Sequence, residues 1–213
     1  MKKQLNLFLF YFQLILGIIF GSSQIEHMIN NSTQGLSLSM FIFAFLFVAV
    51  NLTLGIGAHK AKASAVTMQI LIILVIGVII YLLFSLILAI KAEVIWDKND
   101  TITTVIVIIF SLVNFIYSRV KKLNFFNPLI KGGYSLIFKS IPQLFLAYKI
   151  SQNGGSGLGI VFIFSFHALT LARIFQIFQS MFEAGWDKNR VGLAISEIGN
   201  EITWTVVTVM KFI

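Results

Sequence analysis

The chain has 213 residues, of which 58% are hydrophobic and only 11% are charged, and it carries a net charge of +8. Soluble domains contain roughly 45–50% apolar and about 25% charged residues, so too little polar surface is left here to keep a protein of this size in solution. A soluble enzyme, a nucleic-acid-binding domain and a disordered chain are excluded. The positive charge is instead typical of Lys and Arg at helix ends beside anionic lipid headgroups. The absence of cysteine excludes disulfides and thiolate metal sites.

Seven stretches are long enough to cross a bilayer core, which takes about 20 mostly apolar residues. In chain order they are predicted at 4–29, 36–57, 65–90, 102–119, 126–150, 157–182 and 191–212. Runs such as 70–80 are apolar on every face, which is typical of lipid-embedded helices and not of barrel strands. The sequence therefore predicts an all-α polytopic membrane protein with seven transmembrane helices. Its location would be a bacterial plasma membrane or a eukaryotic endomembrane, with the lipid bilayer as its surroundings.

Two parts of the chain resemble each other. Gln24 near the end of the first helix is followed by Gly35, and Gln143 near the end of the fifth is followed by Gly157. The offsets are 143 − 24 = 119 and 157 − 35 = 122, so the second copy has a slightly longer loop. The pattern predicts a first triple-helix unit over 1–95, a linker helix over 96–123 and a second triple-helix unit over 124–213. A single linker helix gives both units the same orientation, which is an arrangement of transporters with a site between the repeats.

The residues of these copies resemble the motifs of PQ-loop proteins, a superfamily that includes the SWEET sugar transporters, cystinosin-like amino-acid exporters and the KDEL receptor. The resemblance rests on Pro142-Gln143-Leu144, on Tyr148-Lys149 and on the segment 32–37 (STQGLS). Near the C-terminus, the segment 171–175 (LARIF) followed by Gln179, Glu183, Gly185, Asp187 and Asn200 is similar to the mannose-phosphate-dolichol utilization defect family. The resemblance implies alternating access, with Gln24, Pro142 and Gln143 as hinge elements. The first copy has Ser23 where the superfamily has proline, and so it lacks the break in helical hydrogen bonding that proline causes.

The distribution of basic residues favours a cytoplasmic N-terminus. If the helices lie as predicted, nine basic residues fall on the side of the N-terminus and four on the other. The nine are Lys2, Lys3, Lys60, Lys62, Arg119, Lys121, Lys122, Lys188 and Arg190, and the four are Lys91, Lys98, Lys149 and Lys211. The positive-inside rule places the richer side in the cytoplasm, whereas the PQ-loop resemblance implies an N-terminus outside. The orientation therefore stays open.

Several ionisable residues are predicted at membrane depth, where a charge costs about 2.5–3.5 kcal/mol on insertion scales. They are Lys139, Arg173, Glu197 and Glu201, and the two glutamates are four residues apart on one helical face. One interpretation is a buried ion-pair network that only fixes helix packing. The other is a solute cavity, with Lys139 or Arg173 as the charge partner of the glutamates. Because neighbouring carboxylates repel, one of them would hold a proton, so protons as a coupling ion are a further alternative.

The predicted site faces the space between the two units. Its candidate substrate-binding residues are Asn51, Arg173, Gln176, Glu197, Asn200, Glu201 and Trp204. Amides suit sugar hydroxyls, whereas Arg173 and Lys139 suit a carboxylate or phosphate, so a sugar, an amino acid and a lipid-linked phosphate sugar all stay open. The sequence predicts a transporter of a small polar solute, with a non-transporting receptor or accessory protein as the alternative. It predicts no enzyme activity, catalytic residue, metal, cofactor or nucleic-acid partner, and it leaves the oligomeric state open.

Overall fold

The protein is all-helical in its computed structural model. The structure describes residues 2–31, 33, 36–91, 96–124 and 126–213, with side chains from residue 4 onward, and these ranges form seven α-helices. They are α1 (Lys2–Asn30), α2 (Leu38–Ala61), α3 (Ala65–Ile90), α4 (Lys98–Val120), α5 (Pro128–Asn153), α6 (Ile160–Ala184) and α7 (Lys188–Phe212). The predicted seven helices are thus confirmed. Ser32, Gln34 and Gly35 of the predicted repeat motif lie outside the described residues.

Short polar side chains determine where several helices begin. The side chain of Ser37 accepts a hydrogen bond from a backbone N–H in the first turn of α2, and Ser64 does the same for α3. Asp97 and Asp100 form a reciprocal capping box, which explains why α4 begins at Lys98 and not at the predicted residue 102. Such caps satisfy backbone N–H groups that have no partner within the helix. Gly154 ends α5 at φ +75°, a conformation that favours glycine.

Five helices, α1, α2, α3, α4 and α6, are long and apolar enough to cross a membrane by length and composition. The predicted segments 126–150 and 191–212 are also helices of similar length, but α5 and α7 are more polar. Their polar residues lie against each other, because α5 and α7 form the most extensive helix contact in the described chain. A Cβ added at Gly192 would come within 2.8 Å of the Pro128 carbonyl oxygen, so the two backbones nearly touch there.

The helix contacts follow a pattern that repeats. α3 packs against α1 and α2, and α7 packs against α5 and α6. Across the centre, α1 packs on α6, α2 on α5, α3 on α6 and α2 on α7. These contacts are unchanged when α1, α2 and α3 are exchanged for α5, α6 and α7. α4 packs on α5 and on α2.

Large aromatic side chains fill the core where α1, α3, α6 and α7 meet. Phe20 stacks on Phe162 with 4.7 Å between ring centroids, and Phe84 and Trp204 contact the ring of Phe162 at 6.0 and 5.7 Å. All four side chains are at most 2% exposed. Aromatic pairs in these geometries add about 0.5–1.5 kcal/mol each beyond the area they bury. This cluster closes the interior beside the polar residues described next.

Candidate functional site

Glu197 on α7 is the centre of the buried polar network. Its Oε1 atom accepts hydrogen bonds from Arg173 Nη1 at 2.9 Å and from Asn51 Nδ2 at 3.2 Å. Its Oε2 atom accepts one from Asn200 Nδ2 at 3.4 Å. Glu197 is fully buried and Arg173 is 7% exposed. The pair therefore lies in a low-dielectric environment, where removing either partner would leave an uncompensated charge.

Asn51 joins three helices at this point. While its amide donates to Glu197, its Oδ1 atom accepts hydrogen bonds from Ser135 Oγ on α5 at 2.6 Å and Ser196 Oγ on α7 at 2.8 Å. All three side chains are fully buried. Asn51 and Arg173, separated by the repeat offset of 122 residues, thus bind the same carboxylate oxygen. The structure brings Asn51, Arg173, Glu197 and Asn200 together.

Gln143, one of the predicted hinge residues, extends the network along α7. Its Nε2 atom donates to Asn200 Oδ1 at 3.0 Å, and its Oε1 atom accepts from the hydroxyl of Thr203. The preceding residue, Pro142, lies inside α5 and is buried. Proline removes a backbone N–H donor from the helix. The side chain of Gln143 therefore links α5 to α7 next to Pro142, where the interior of α5 lacks a backbone hydrogen bond.

Lys139 is also buried, but it does not contact either glutamate. Its Nζ atom donates to the Tyr81 hydroxyl at 3.0 Å. It also lies 4.6 Å from the centroid of the Tyr81 ring, 5.1 Å from that of Phe166 and 5.5 Å from that of Phe47. The lysine is 1% exposed. The predicted partnership of Lys139 with a glutamate is therefore replaced by an aromatic cage, which attracts a cation through the negative faces of the rings.

A narrow crevice runs beside this network. Its walls include Gln13 on α1, Phe47 on α2, Tyr81 on α3, Arg173 on α6 and Asn200 on α7. The empty space between these atoms is about 460 Å³. The crevice has room for roughly one water. Helices from both predicted units wall the crevice.

A row of amides leads from the crevice along α1 and α6. Gln176 Nε2 lies 3.5 Å from Gln69 Oε1 on α3, and Asn6 on α1 donates to Glu183 on α6 at 3.2 Å. The Oε1 atoms of Gln13, Gln176 and Gln179 are buried without a hydrogen-bond partner in the described part of the chain. Gln176 thus lies next to the network, as one member of this row.

Glu201 and Trp204 lie apart from the Glu197 network. Glu201 Oε1 is 2.6 Å from His167 Nδ1, and His167 Nε2 is 2.7 Å from Thr208 Oγ1. Trp204 is fully buried and packs on Phe166 with 4.7 Å between ring centroids. One helical turn separates Glu197 from Glu201, yet their partners come from different places along α6. The sequence did not indicate His167 as the partner of Glu201, because helix rotation cannot be read from spacing on a single helix.

At one end of the helical bundle, polar contacts join the two predicted units. Gln24 donates to the Gly157 carbonyl at 2.8 Å and accepts from the Gly159 N–H at 3.2 Å. In the opposite sense, Lys149 on α5 donates to the Leu36 carbonyl at 2.7 Å and pairs with Asp97 at 2.7 Å. Each unit thus binds the loop that precedes the second helix of the other unit. Gln24 contacts the opposite unit, whereas Gln143 contacts its own.

Arg190 closes the other end of the bundle. It is 1% exposed, pairs with Asp187, and donates to the carbonyl oxygens of Ala58 at 3.2 Å and Lys62 at 2.9 Å. These carbonyls lie at the C-terminal end of α2. The Ala58 carbonyl also accepts a hydrogen bond from the backbone N–H of Lys62, and the Lys62 carbonyl follows the last residue of the helix. From the sequence, Arg190 was expected just outside the seventh predicted helix, on the side of the N-terminus. Its spacing of three residues from Asp187 is the signal from which a local ion pair could have been predicted.

No protein-family model, no curated protein and no solved structure matches this chain. The resemblance to PQ-loop proteins therefore rests on the motifs and spacing of the sequence.

Proposed function

We propose that this chain is an integral membrane transporter of a small polar solute, a sugar or an amino acid, which works by alternating access. Helices α1–α3 and α5–α7 would be the two triple-helix units of a PQ-loop protein, with α4 as the linker. The observation that carries the proposal is the buried Arg173–Glu197 pair beside a crevice walled by both units. Ion pairs at membrane depth are expensive and are typically found along solute or ion pathways.

The exchange pattern of helix contacts supports two equivalent units. α1 packs on α6 as α2 packs on α5, and α3 packs on α6 as α2 packs on α7. The residues at matched positions, Asn51 and Arg173, also reach one oxygen of Glu197. In transporters built from parallel repeats, the site lies at such an interface near the bilayer midplane. Membrane insertion is part of the proposal, and it is supported by the five helices that are long and apolar enough to cross a membrane.

The contacts at both ends suit a protein that opens to one side at a time. Each end is closed by a few hydrogen bonds between helix termini and loops, such as those of Gln24 and Arg190. A hydrogen bond contributes a net of about 0.5–1.5 kcal/mol, because water replaces it when it breaks. The two ends are therefore held by interactions small enough to exchange, while the α5–α7 contact keeps the second unit together.

A non-transporting receptor or accessory membrane protein is the second candidate, and the width of the crevice favours it. The crevice has room for roughly one water, so passage of a solute requires the helices to move. A receptor or packing core needs no such movement.

Flux measurements on reconstituted protein separate the two candidates. Gly17 lines the crevice and a Cβ added there meets nothing within 4 Å, so Gly17→Phe introduces a bulky ring without a backbone clash. Ile18, its neighbour, is 67% exposed, and Ile18→Phe is the matched control. Proteoliposomes with each variant would be assayed for uptake of labelled sugars and amino acids. We expect the native chain to equilibrate one class of solute, Gly17→Phe to lower uptake at least tenfold, and Ile18→Phe to change it less than twofold.

Two results would count against the proposal. Saturable binding without uptake of any solute would favour the receptor. Uptake that Gly17→Phe leaves unchanged would show that the crevice is not the pathway.

A further inference from the structure

The buried ionisable groups around the crevice do not all form pairs. Lys139 and Arg173 are basic, and Glu197, at 2.9 Å from Arg173, is the one acid of this group. In the described ranges no carboxylate oxygen lies within 4.0 Å of Lys139 Nζ. His167 and Glu201 form a separate pair, and the His167 ring lies 6.4 Å from that of Trp204. The buried groups around the crevice therefore include one base without an acidic partner, although buried charges are normally paired.

Tyr81 links the side chain of Lys139 to the crevice. The Tyr81 hydroxyl oxygen accepts its hydrogen bond from Lys139, and within the described chain the hydroxyl proton has no acceptor. A hydroxyl both donates and accepts, so this proton is available to a ligand. Because the hydroxyl is bound to an ammonium group, it is a stronger donor than an ordinary phenol. Tyr81 lines the crevice, whereas Lys139 lies behind it among the rings of Phe47 and Phe166.

Arg173 supplies a second donor on the same crevice. Its Nη1 atom is bound to Glu197, but its Nε atom is buried without a partner in the described chain. An unsatisfied buried donor costs about 1–3 kcal/mol. Tyr81 from α3 and Arg173 from α6 thus bring two donors without acceptors to one narrow space lined by both units.

We infer that the crevice, when the helices move apart to admit a solute, binds the carboxylate group of that solute, which accepts hydrogen bonds from the Tyr81 hydroxyl and the Arg173 guanidinium while Lys139 acts through Tyr81 as a positioning residue. This inference rests on the proposed function, because the ligand is a transported solute only if the chain is a transporter. A carboxylate supplies one negative group for the one base without an acidic partner. Inorganic phosphate would bring up to two negative charges, and a neutral sugar would bring none.

Ligand binding to the purified full-length chain tests the assignment without transport. The thermal unfolding midpoint in detergent would be followed with acetate, lactate, glycine, inorganic phosphate and glucose, at constant ionic strength against chloride. At equal concentration, a ligand that binds the folded state more tightly raises the midpoint further. We expect at least one of the carboxylates to raise the midpoint, and to do so more than phosphate or glucose.

Two variants identify the residues. Tyr81→Phe removes only the hydroxyl and is expected to weaken carboxylate binding about tenfold, the effect of losing one hydrogen bond to a charged group. Tyr11→Phe, at a tyrosine that is 55% exposed, is the matched control and should leave binding unchanged. Lys139→Met keeps the volume and the contact with the rings but removes the charge. Since apolar replacement of a buried charge is often neutral or stabilising, this variant should fold with an equal or higher midpoint while its carboxylate binding is lost.

The outcomes separate this inference from the transport proposal. The inference is overturned if no carboxylate raises the midpoint, if phosphate or glucose binds more tightly, or if Tyr81→Phe and Lys139→Met leave carboxylate binding intact. Carboxylate binding without flux leaves the site in place and overturns transport. Flux of neutral sugars without carboxylate binding supports transport and overturns the carboxylate site.

Discussion

Replacing Glu197 with Gln removes the charge that compensates Arg173 and keeps nearly the same shape. Glu197 is fully buried and accepts hydrogen bonds from Arg173, Asn51 and Asn200. In the variant, one amide nitrogen replaces a carboxylate oxygen and faces the donor nitrogen of Asn51 or Asn200. Breaking a buried ion pair from one side costs about 3–5 kcal/mol, because the remaining charge is buried without a partner. We expect Glu197→Gln to lower the free energy of unfolding by that amount.

The assay is reversible unfolding in mixed detergent micelles, followed by helical circular dichroism. Glu201→Gln is the matched control, because Glu201 lies one turn further along α7, has a side chain that is 15% exposed, and pairs with His167. The loss in this control should be at most about 1 kcal/mol, as for partly exposed pairs. Replacing both partners of a buried pair leaves no unpaired charge, so Arg173→Met combined with Glu197→Gln should be more stable than Glu197→Gln alone.

Two results would refute this reasoning. Equal losses for Glu197→Gln and Glu201→Gln would mean that the Arg173–Glu197 pair does not behave as a buried pair. A double variant less stable than Glu197→Gln alone would mean that Arg173 stabilises the fold by contacts other than its charge.

Three further predictions concern other parts of the fold. Burial acts to raise the pKa of Asp97, but hydrogen bonds from the Lys149 ammonium and from backbone N–H groups outweigh burial, so the pKa lies below its usual value. The lowered pKa means that ionised Asp97 stabilises the fold. This stabilisation is present above about pH 3.9, the usual pKa of an unfolded aspartate, and is lost as the pH falls through the lower pKa of the folded state. Asp97→Asn keeps a good helix cap, so its unfolding midpoint should lie below that of the native chain at pH 6 and converge with it at acid pH; a constant difference across the titration would contradict the ion pair. Gly192→Ala places a Cβ 2.8 Å from a backbone carbonyl of α5 and should cost about 1–3 kcal/mol in free energy of unfolding. Gly17→Ala is the control and should cost less, because a Cβ at Gly17 meets nothing within 4 Å. Equal losses would show that α5 and α7 are not in close contact. Gln24→Ala removes both hydrogen bonds to the α5–α6 loop and should lower the free energy of unfolding by about 1–3 kcal/mol. The free energy would be measured in the same micelles, and an unchanged value would mean that the loop does not depend on this side chain.

The sequence predicted the elements that depend on composition and local chemistry. Apolar runs and short polar loops predicted seven helices, and the structure confirms that number in the described residues. Charged residues in apolar surroundings pointed to Arg173 and Glu197, because such residues need partners. The repeat offset of 122 residues also matches Asn51 in the first copy to Arg173 in the second, and both side chains donate to Glu197.

Contacts that depend on helix rotation could not be predicted. Lys139 and Tyr81 are separated by 58 residues, and nothing in a single sequence fixes which faces of α3 and α5 meet. The same holds for His167 and Glu201, which lie on neighbouring helices. The polar composition of α5 and α7 was visible in the sequence, but their close backbone contact at Gly192 becomes apparent only in the fold.

The contacts of Arg190 bear on the order in which the protein is assembled. Arg190 donates to carbonyls at the end of α2 from a position 132 residues after Ala58 and 128 residues after Lys62. Since a ribosome makes the chain from its N-terminus, the side chain of Arg190 reaches these carbonyls only after α7 has been synthesised. The contacts at the end of an early helix are therefore completed by a helix made later, and a chain truncated before Arg190 would lack them during biogenesis.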